Sequence, residues 1–548
     1  MADTFDYVIV GAGSAGCILA NRLSADGKHT VCVLEAGPRD WHPFIHIPAG
    51  FIHTLTMTSV NWLYEAEPSE GTNGRVIPVP RGKTLGGSSS INGHIYNRGQ
   101  RMDFDGWAQK GNRGWGYNDV LPYFRRTEKR IGEADDTFRG RSGGLTVTDL
   151  GATHPLCEAF LKGADELGIP RNRDYNGERQ EGISYVQRTA FNNRRMSTAR
   201  AFLDPARSRS NLTIRTNAHA SRLILEGRRA VGVAYAKGGR NGPATEVRAR
   251  REVIVSGGAV NSPQLLQVSG IGPGPLLASL GIEVRHELPG VGENLADHYA
   301  PRFGMRVKGI ETLNERSKGM RLVGEIVKYF TGGESILSLS PSMVYGFWHS
   351  DEATRPNDLQ FLFTPASYKQ GRHGLLDDFP GLTVAAWQHR PVSRGYVRAR
   401  SSDPFDKPAI QPNYLAEETD RRVTIGAMRF ARRLIHTTPM KPYLDGEIYP
   451  GADVQSDDEL LAAAREWGSS TYHLMGTCRM GPVSDATAVV DDELRVRGME
   501  GLRVIDASIM PAMISANLNA STMMIAEKGS DMVLGKSAPE PVIVPELV

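Results

Sequence analysis

The chain has 548 residues, too many for one simple core, and at roughly 150 residues per domain it should divide into two to four units. Lysine and arginine total 64 against 61 aspartates and glutamates, a near balance that argues against electrostatic capture of nucleic acid as the main activity. Four cysteines, Cys17, Cys32, Cys157 and Cys478, form no C-x-x-C pair and are too few to staple such a chain, which points to a reducing compartment rather than secretion. No run reaches the roughly 18 apolar residues of a membrane span, and "MADTFDYVIV" lacks a signal-peptide core. The expectation is a cytoplasmic protein, with peripheral membrane contact left open and its oligomeric state not legible.

From the N-terminus, "FDYVIVGAGSAGCILANRLSADGKHTVCVLEAG" runs from an apolar strand, Tyr7 to Val10, through Gly11, Gly13 and Gly16 into a helical pattern. A second apolar run, Thr30 to Leu34, closes on Glu35, 19 positions after Gly16. Strand, glycine turn, helix and acidic strand end in that order form a dinucleotide site. Gly11 permits the turn, Gly13 lets backbone approach a pyrophosphate, Gly16 allows close packing of helix on strand, and Glu35 accepts from ribose hydroxyls. The acidic Glu35 disfavours a 2′-phosphate; by itself it does not separate NAD from FAD.

Next, "RGKTLGGSSSINGHIYNRG" (81–99) has the glycine and serine content of backbone lying against a ligand. "REVIVSGGAVNSPQLLQVSGIG" reads as a strand at Val253–Val255, a Gly257-Gly258 turn, and a helix opened by Asn261 or Ser262 with Pro263 in its first turn. "PGVGENLADH" (289–298) adds another glycine-rich approach, with Asn294, Asp297 and His298. Segment 309–334 has an amphipathic middle and reads as a solvated surface helix, with a lid or membrane-touching element as the alternative. "SMVYGFWHS" and "DLQFLFTP" alternate as strands of an antiparallel sheet, their aromatics serving either a plain core or a substrate pocket. "GLRVIDASIMP" (501–511) is a short strand ending in Asp506. A helix from about Ser521 would aim its positive end at whatever lies before Asn517 to Asn519. The proline-bearing tail "GKSAPEPVIVPELV" should extend over a surface.

Together these stretches resemble the glucose-methanol-choline (GMC) oxidoreductases, and within them the choline-dehydrogenase-like and alkanol-dehydrogenase branch. The likeness runs from Tyr7 to about Leu534. It is carried by Gly11 to Gly16 with Glu35, "GKTLGGSSSIN", "GAVNSPQLLQVSGIG", "PGVGENLADH", "PVSRGYVRARSSDPFDKPAIQPNYL" (391–415), "YHLMGTCRMG" and "LRVIDASIMPAMISANLNA". The resemblance implies an α/β protein with a Rossmann-like FAD-binding domain (1–155, 206–298 and 471–548). A substrate-binding domain (156–205 and 299–470), with an antiparallel sheet and flanking helices, would complete it.

It further implies that Gly11, Gly13, Ser14 and Ala15 hold the pyrophosphate and that Glu35, followed by Ala36, holds the adenosine ribose. Gly87, Asn92, Gly93, His94 and Ile95 would lie along the flavin, Ala220 at the adenine, Asp506 and Ala507 at the phosphate and ribityl chain, and Leu518 at the flavin. Some members attach FAD through a histidine before the residue matching Asn92; this chain has Ile91, so the flavin should be non-covalent. Leu474 and Leu518 depart from the proline, and from the threonine or proline, common at those places.

"STYHLMGTCRMG" (470–481) leaves three roles for His473: metal ligand with Cys478, partner of a cysteine nucleophile, or lone base. No H-x-x-x-H, C-x-x-C or carboxylate cluster lies near to complete a metal site, and Cys478 as nucleophile would need a base poised for it, so buried packing is its expected role; no metal is expected. A lone histidine otherwise reads as a satisfied core residue. Oxidising an alcohol needs a base for the hydroxyl proton and a donor to steady the alkoxide. By resemblance His473 is the base and Asn517, 44 positions on, the second catalytic residue. Asparagine cannot titrate, which leaves the base role to His473. Arg479 is expected to pair with an interior carboxylate. The implied activity is FAD-dependent oxidation of a primary alcohol by an alcohol dehydrogenase or oxidase, with oxygen or a quinone-like compound as acceptor. The alternatives are a lyase that keeps FAD as structure, or a non-catalytic flavin-binding protein.

Overall fold

In the computed structural model, which describes residues 3–351, 357–369 and 374–544, five strands run parallel. Their order is Leu212–Arg215, Val31–Leu34, Asp3–Val10, Ala244–Val255 and Leu502–Val504. Val8, Ile9, Val31 to Val33 and Val253 to Val255 are wholly buried, the continuous apolar pattern of strands covered on both faces. The hairpin Ala218–Glu226 and Arg229–Lys237 pairs antiparallel with the first half of Ala244–Val255 and extends this seven-stranded sheet. Helices Ser14–Leu23 and Leu518–Leu534 pack on one another beside it.

A second sheet of six strands is antiparallel throughout, in the order Leu444–Tyr449, Arg302–Val307, Gly381–Gln388, Leu359–Thr364, Val344–Trp348 and Gly182–Tyr185. Leu359, Phe361 and Phe363 share its fully buried face: Phe361 meets Phe430 of the helix Glu418–Ile435 at 5.0 Å between ring centres, and Phe363 stacks on Phe160 at 4.2 Å. Those aromatics are core. Each sheet organises its own hydrophobic core, and the division by core sets Tyr64–Val79 with the second sheet and Ala199–Ala206 with the first.

Two helix starts differ from the sequence reading. The helix Gly258–Val268 opens three residues before Asn261, because Asp506 caps it from far along the chain: its Oδ2 accepts from the Gly258 N–H at 2.8 Å and from the Ser262 hydroxyl at 2.6 Å. Pro263 therefore lies inside the helix, and the Ala259 carbonyl it cannot bond receives the Thr477 hydroxyl at 2.7 Å. The helix Leu518–Leu534 likewise starts ahead of Ser521, with Asn517 at its N-cap. Segment 309–334 forms the helices Leu313–Arg316 and Gly319–Phe330, the second with its apolar side exposed, so it is not a plain solvated helix. The tail lies on the protein's own surface, where the Val542 N–H reaches the Asn118 carbonyl and Arg101 holds the Val544 carbonyl; residues 545–548 fall outside the described residues.

Candidate active site

Between the two sheets lies a cavity of about 680 Å³, and every residue that the resemblance assigns to FAD or to the catalytic pair lines it. On the first sheet's side, Gly11 turns at φ 99°, where a Cβ would stand 2.4 Å from the Ser256 carbonyl oxygen. A Cβ on Gly16 would stand 1.9 Å from the carbonyl oxygen of Gly11. Both positions require glycine. At Gly13 an added Cβ would meet nothing nearer than the Gly87 Cα at 4.0 Å, so this glycine leaves open cavity rather than filling a packing contact. The Gly86 N–H bonds the Ala12 carbonyl at 2.7 Å and ties the "GGSSS" loop over the first turn.

Glu35 is 5 % exposed, and its carboxylate accepts from the Ala12 N–H at 2.9 Å and the Gly37 N–H at 2.8 Å. Burial pushes its pKa up to about 7, an environment that favours further hydroxyl donors on the remaining lone pairs. Ala36 and Ala220 line the same end. Trp62 stands there too, edge-on to His219 at 5.5 Å; its aromatic wall was missed in the sequence, where no motif surrounds it. Asp506 commits its carboxylate to helix capping and to the Ser508 N–H, and the Asp506 and Ala507 carbonyls accept from the Ile509 and Gly476 N–H groups, which leaves their backbone N–H groups for the cavity.

Asn92 Oδ1 accepts from the His94 N–H at 3.0 Å and from the buried Arg195 at 2.7 Å. His94 holds a left-handed backbone, φ 46°, rare for a residue with a side chain. Its ring turns to the Ser340 hydroxyl at 3.0 Å, and burial holds its pKa well below 6.5. A Cβ on Gly93 would collide with Pro341 at 2.5 Å, and Ile95 completes that wall. Leu518 opens the last helix, whose N-cap side chain makes no capping bond; its first N–H groups stay available to an electron-rich group. An adenine dinucleotide bearing a flat polar ring system fits these donors and this space.

The base candidate sits on a short loop after Ser469–Ser470, beside Tyr472 at φ 69°. Asp297 anchors that loop: its Oδ1 accepts from the backbone N–H of His473 at 2.6 Å and of His298 at 2.9 Å, while Oδ2 accepts from the Tyr414 hydroxyl at 2.6 Å. Hydrogen bonds then dictate the tautomer. His298 Nε2 lies 2.6 Å from the His389 carbonyl, which can only accept, so Nε2 carries the proton. Burial lowers the pKa of His298 to about 4, so the ring is neutral near pH 7 and Nδ1 is an acceptor. That Nδ1 is 2.9 Å from His473 Nδ1, which must therefore bear its hydrogen; the Thr471 hydroxyl, 2.8 Å away, shares it.

His473 Nε2 is left with its lone pair, 3.0 Å from Asn517 Nδ2. The Asn517 amide is turned the same way from its other end, where Oδ1 accepts from the Tyr345 hydroxyl at 3.0 Å. Burial above all, then His298 and Arg81, hold the pKa of His473 well below 6.5, so Nε2 is free at neutral pH. In the sequence His298 stands in its motif without a legible role and Tyr345 is one of several aromatics; neither pairing has a local signal.

The rest of the 470–481 stretch serves structure. Cys478 is fully buried, its thiol raised well above its usual pKa by burial, and its N–H bonds the Ser508 carbonyl at 2.8 Å. Arg479 pairs with Asp485 at a half-buried surface position, not in the interior as expected, because Asp485 sits on the next turn of the same loop. All four cysteines are free, and among the described residues no group of three or more His, Cys, Asp or Glu could hold a metal. Leu474, 1 % exposed, packs in the second core and lines the cavity.

Profiles described as GMC oxidoreductase match residues 5–300 and 391–526. A mitochondrial choline dehydrogenase of Homo sapiens is 42% identical, covering 98% of this chain and 91% of its own length. An alcohol dehydrogenase [acceptor] of Pseudomonas putida is 40% identical over 97% of this chain and 96% of its own. Among solved structures, a pyridoxine 4-oxidase from Mesorbium loti superposes with a TM-score of 0.85 at 30% identity, covering 96% of this chain and 98% of its own. A formate oxidase of Aspergillus oryzae, which carries FAD, gives 0.89 at 26% identity over 97% and 98%.

Proposed function

The chain belongs to the GMC oxidoreductase family, FAD enzymes acting on CH–OH donors, and from that premise we propose that it oxidises a primary alcohol to the aldehyde, with His473 as base and Asn517 steadying the alkoxide. The observation that carries this reading is the unprotonated Nε2 of His473, 3.0 Å from the Asn517 carboxamide donor, inside a dinucleotide-sized cavity.

Gly11, Gly13, Ser14 and Ala15 would hold the pyrophosphate. Glu35 would take the ribose and Ala220 the adenine, with Gly87, Asn92 to Ile95 and Leu518 along the flavin. Ile91 has no nucleophile and is buried, so attachment is non-covalent. FAD, when bound, supplies the acceptor for the hydride that leaves the α-carbon. The chain's own part is proton handling. The alcohol O–H donates to His473 Nε2 and the proton passes to it; the imidazolium keeps its Nδ1–H on His298 and Thr471. As the substrate oxygen gains negative charge, Asn517 Nδ2 donates to it without ever titrating.

On the second sheet's side the cavity presents Tyr345, Leu362, Ala385 and Trp387, which suits an alcohol with an apolar substituent. Choline is a second reading, favoured by the human relative's name and by the aromatic walls. Arg302 and Lys369 line the same cavity and oppose a quaternary ammonium.

Anaerobic mixing of the FAD-loaded protein with aliphatic alcohols, aromatic alcohols and choline is expected to bleach the flavin and yield aldehyde, fastest with the apolar alcohols. If no alcohol bleaches it, the lyase or non-catalytic reading stands instead. For the acceptor, dye reduction is expected to outrun oxygen uptake in parallel traces.

Glu35→Ala tests the cofactor assignment separately. A hydrogen bond to a charged group contributes about 1.5–3 kcal/mol, so losing one or two should weaken FAD retention roughly a hundredfold. Flavin released on ultrafiltration measures it, and unchanged retention would remove Glu35 from the ribose site.

A further inference from the structure

One row of side chains runs across the second sheet on the side of the cavity. Tyr345 pairs with Leu362, Leu362 with Ala385 and Ala385 with Arg302, each directly opposite the next on neighbouring antiparallel strands, so the four side chains share a face, and all four line the cavity. The row starts at the reaction centre, because the Tyr345 hydroxyl donates to Asn517 Oδ1 at 3.0 Å. It ends on a cation. With strands about 4.8 Å apart, the steps from Tyr345 to Arg302 cover roughly 14 Å, and the positions between them are apolar.

Arg302 is half-buried, and among the described residues its guanidinium makes no ion pair and no hydrogen bond. The other ionic groups in this half of the cavity are engaged. Lys369 Nζ holds Asp378 at 2.6 Å, Arg75 and Arg81 donate to backbone carbonyls, and Glu466 accepts from Asn73 at 2.8 Å. Asp377, whose charge reaches Tyr449 together with that of Arg302, stays beyond ion-pair distance of the guanidinium. Neutral hydroxyls gather there instead. The Tyr449 ring lies over Gly304, in the next row of the same face, where a Cβ would stand 2.3 Å from its Cζ. Burial raises the pKa of Tyr368, Tyr449 and Tyr472, and the Arg302 charge acts on each in the opposite sense, so all three phenols lie within its field. All three line the cavity, and the Tyr368 and Tyr472 hydroxyls have no hydrogen-bond partner among the described residues.

We propose that Arg302 is a specificity-determining residue that binds a carboxylate at the far end of the substrate, which makes the preferred alcohols ω-hydroxy carboxylates with an apolar middle. A guanidinium with open N–H groups takes a carboxylate in two parallel hydrogen bonds, and the protonated phenols beside it add donors. The hydroxyl then lies at His473 and Asn517, the chain over Leu362 and Ala385, and the carboxylate at Arg302. The proposal rests on the alcohol-oxidation reading and names its substrate class.

The test is anaerobic stopped-flow reduction of the full-length, FAD-loaded protein by ω-hydroxyoctanoate, its methyl ester and octanol. The acid should bind roughly ten- to a hundredfold more tightly than the ester, with the difference in the concentration dependence and not in the limiting rate. ω-Hydroxybutyrate, too short to span the row, should show no such gain over butanol. Arg302→Gln should erase the long acid's advantage, and Arg302→Lys should restore part of it. Ala385→Asp, which sets a carboxylate directly across from Arg302, should erase the advantage with the arginine kept. The proposal is overturned if the parent does not prefer the acid to the ester, if the short acid gains as much as the long one, or if the preference survives in Arg302→Gln or Ala385→Asp. Octanol that bleaches the flavin in those cases leaves the alcohol reading standing. If neither octanol nor either acid bleaches it, the alcohol reading fails and this proposal falls with it.

Discussion

His473→Ala is expected to slow flavin reduction by alcohol by about a hundred- to ten-thousandfold, the usual contribution of a positioned general base. The argument rests on supply and demand for one proton. Nε2 is the ring atom left with a lone pair, and it already touches the carboxamide that would donate to the alkoxide, so the two groups converge on the place of one oxygen. Because burial keeps the imidazole neutral well below pH 6.5, the parent's rate should stay level from neutral pH downward and fall only as pH drops through that depressed pKa. In the alanine variant the fall on the acid side should disappear along with the rate. Stopped-flow absorbance at several pH values measures both. A variant that bleaches as fast as the parent would dismiss His473 as base, whatever alcohol is used. FAD content and melting temperature serve as controls, and little change is expected because the ring lines a cavity.

How much of this was legible in the sequence depended on the distance over which each feature is determined. The first turn was readable because Gly11, Gly13, Gly16 and Glu35 lie within one strand, turn, helix and strand unit, where Gly11 takes a positive φ and a Cβ on Gly16 would meet the Gly11 carbonyl. The antiparallel sheet was readable because alternation at Leu359, Phe361 and Phe363 is local too. The helix starting at Gly258 was misplaced because its cap, Asp506, arrives from the far end of the chain. For Gly319–Phe330 the periodicity revealed two unlike faces but not which one turns inward. That is decided by Glu325 finding Arg316 and the Ile336 N–H, a tertiary fact. The same limit applied at the site, where resemblance pointed to His473 and Asn517 while the residues that orient them stayed unrecognised.

His298 is the residue on which that orientation turns, and its replacement should cost roughly ten- to a hundredfold in the rate of flavin reduction, the usual effect of losing a partner that orients a functional histidine. With the His389 carbonyl holding its Nε2–H, His298 can offer His473 only an acceptor, and this acceptor keeps the His473 proton on Nδ1. It also receives the Nδ1–H of the imidazolium formed when the alcohol gives up its proton. His298→Leu fills the space but accepts nothing. The imidazolium then loses its acceptor, so the plateau rate drops, while removal of His298, one of the groups that hold the pKa of His473 down, lets the acid limb move to higher pH. Thr471 still touches Nδ1 and limits the loss. His298→Asn restores an acceptor near the position of Nδ1 and should recover part of the rate. A merely structural role predicts something else: a lower rate with an unmoved acid limb and no gain from asparagine. That outcome would leave His298 as packing and return the tautomer of His473 to Thr471 and Asn517 alone.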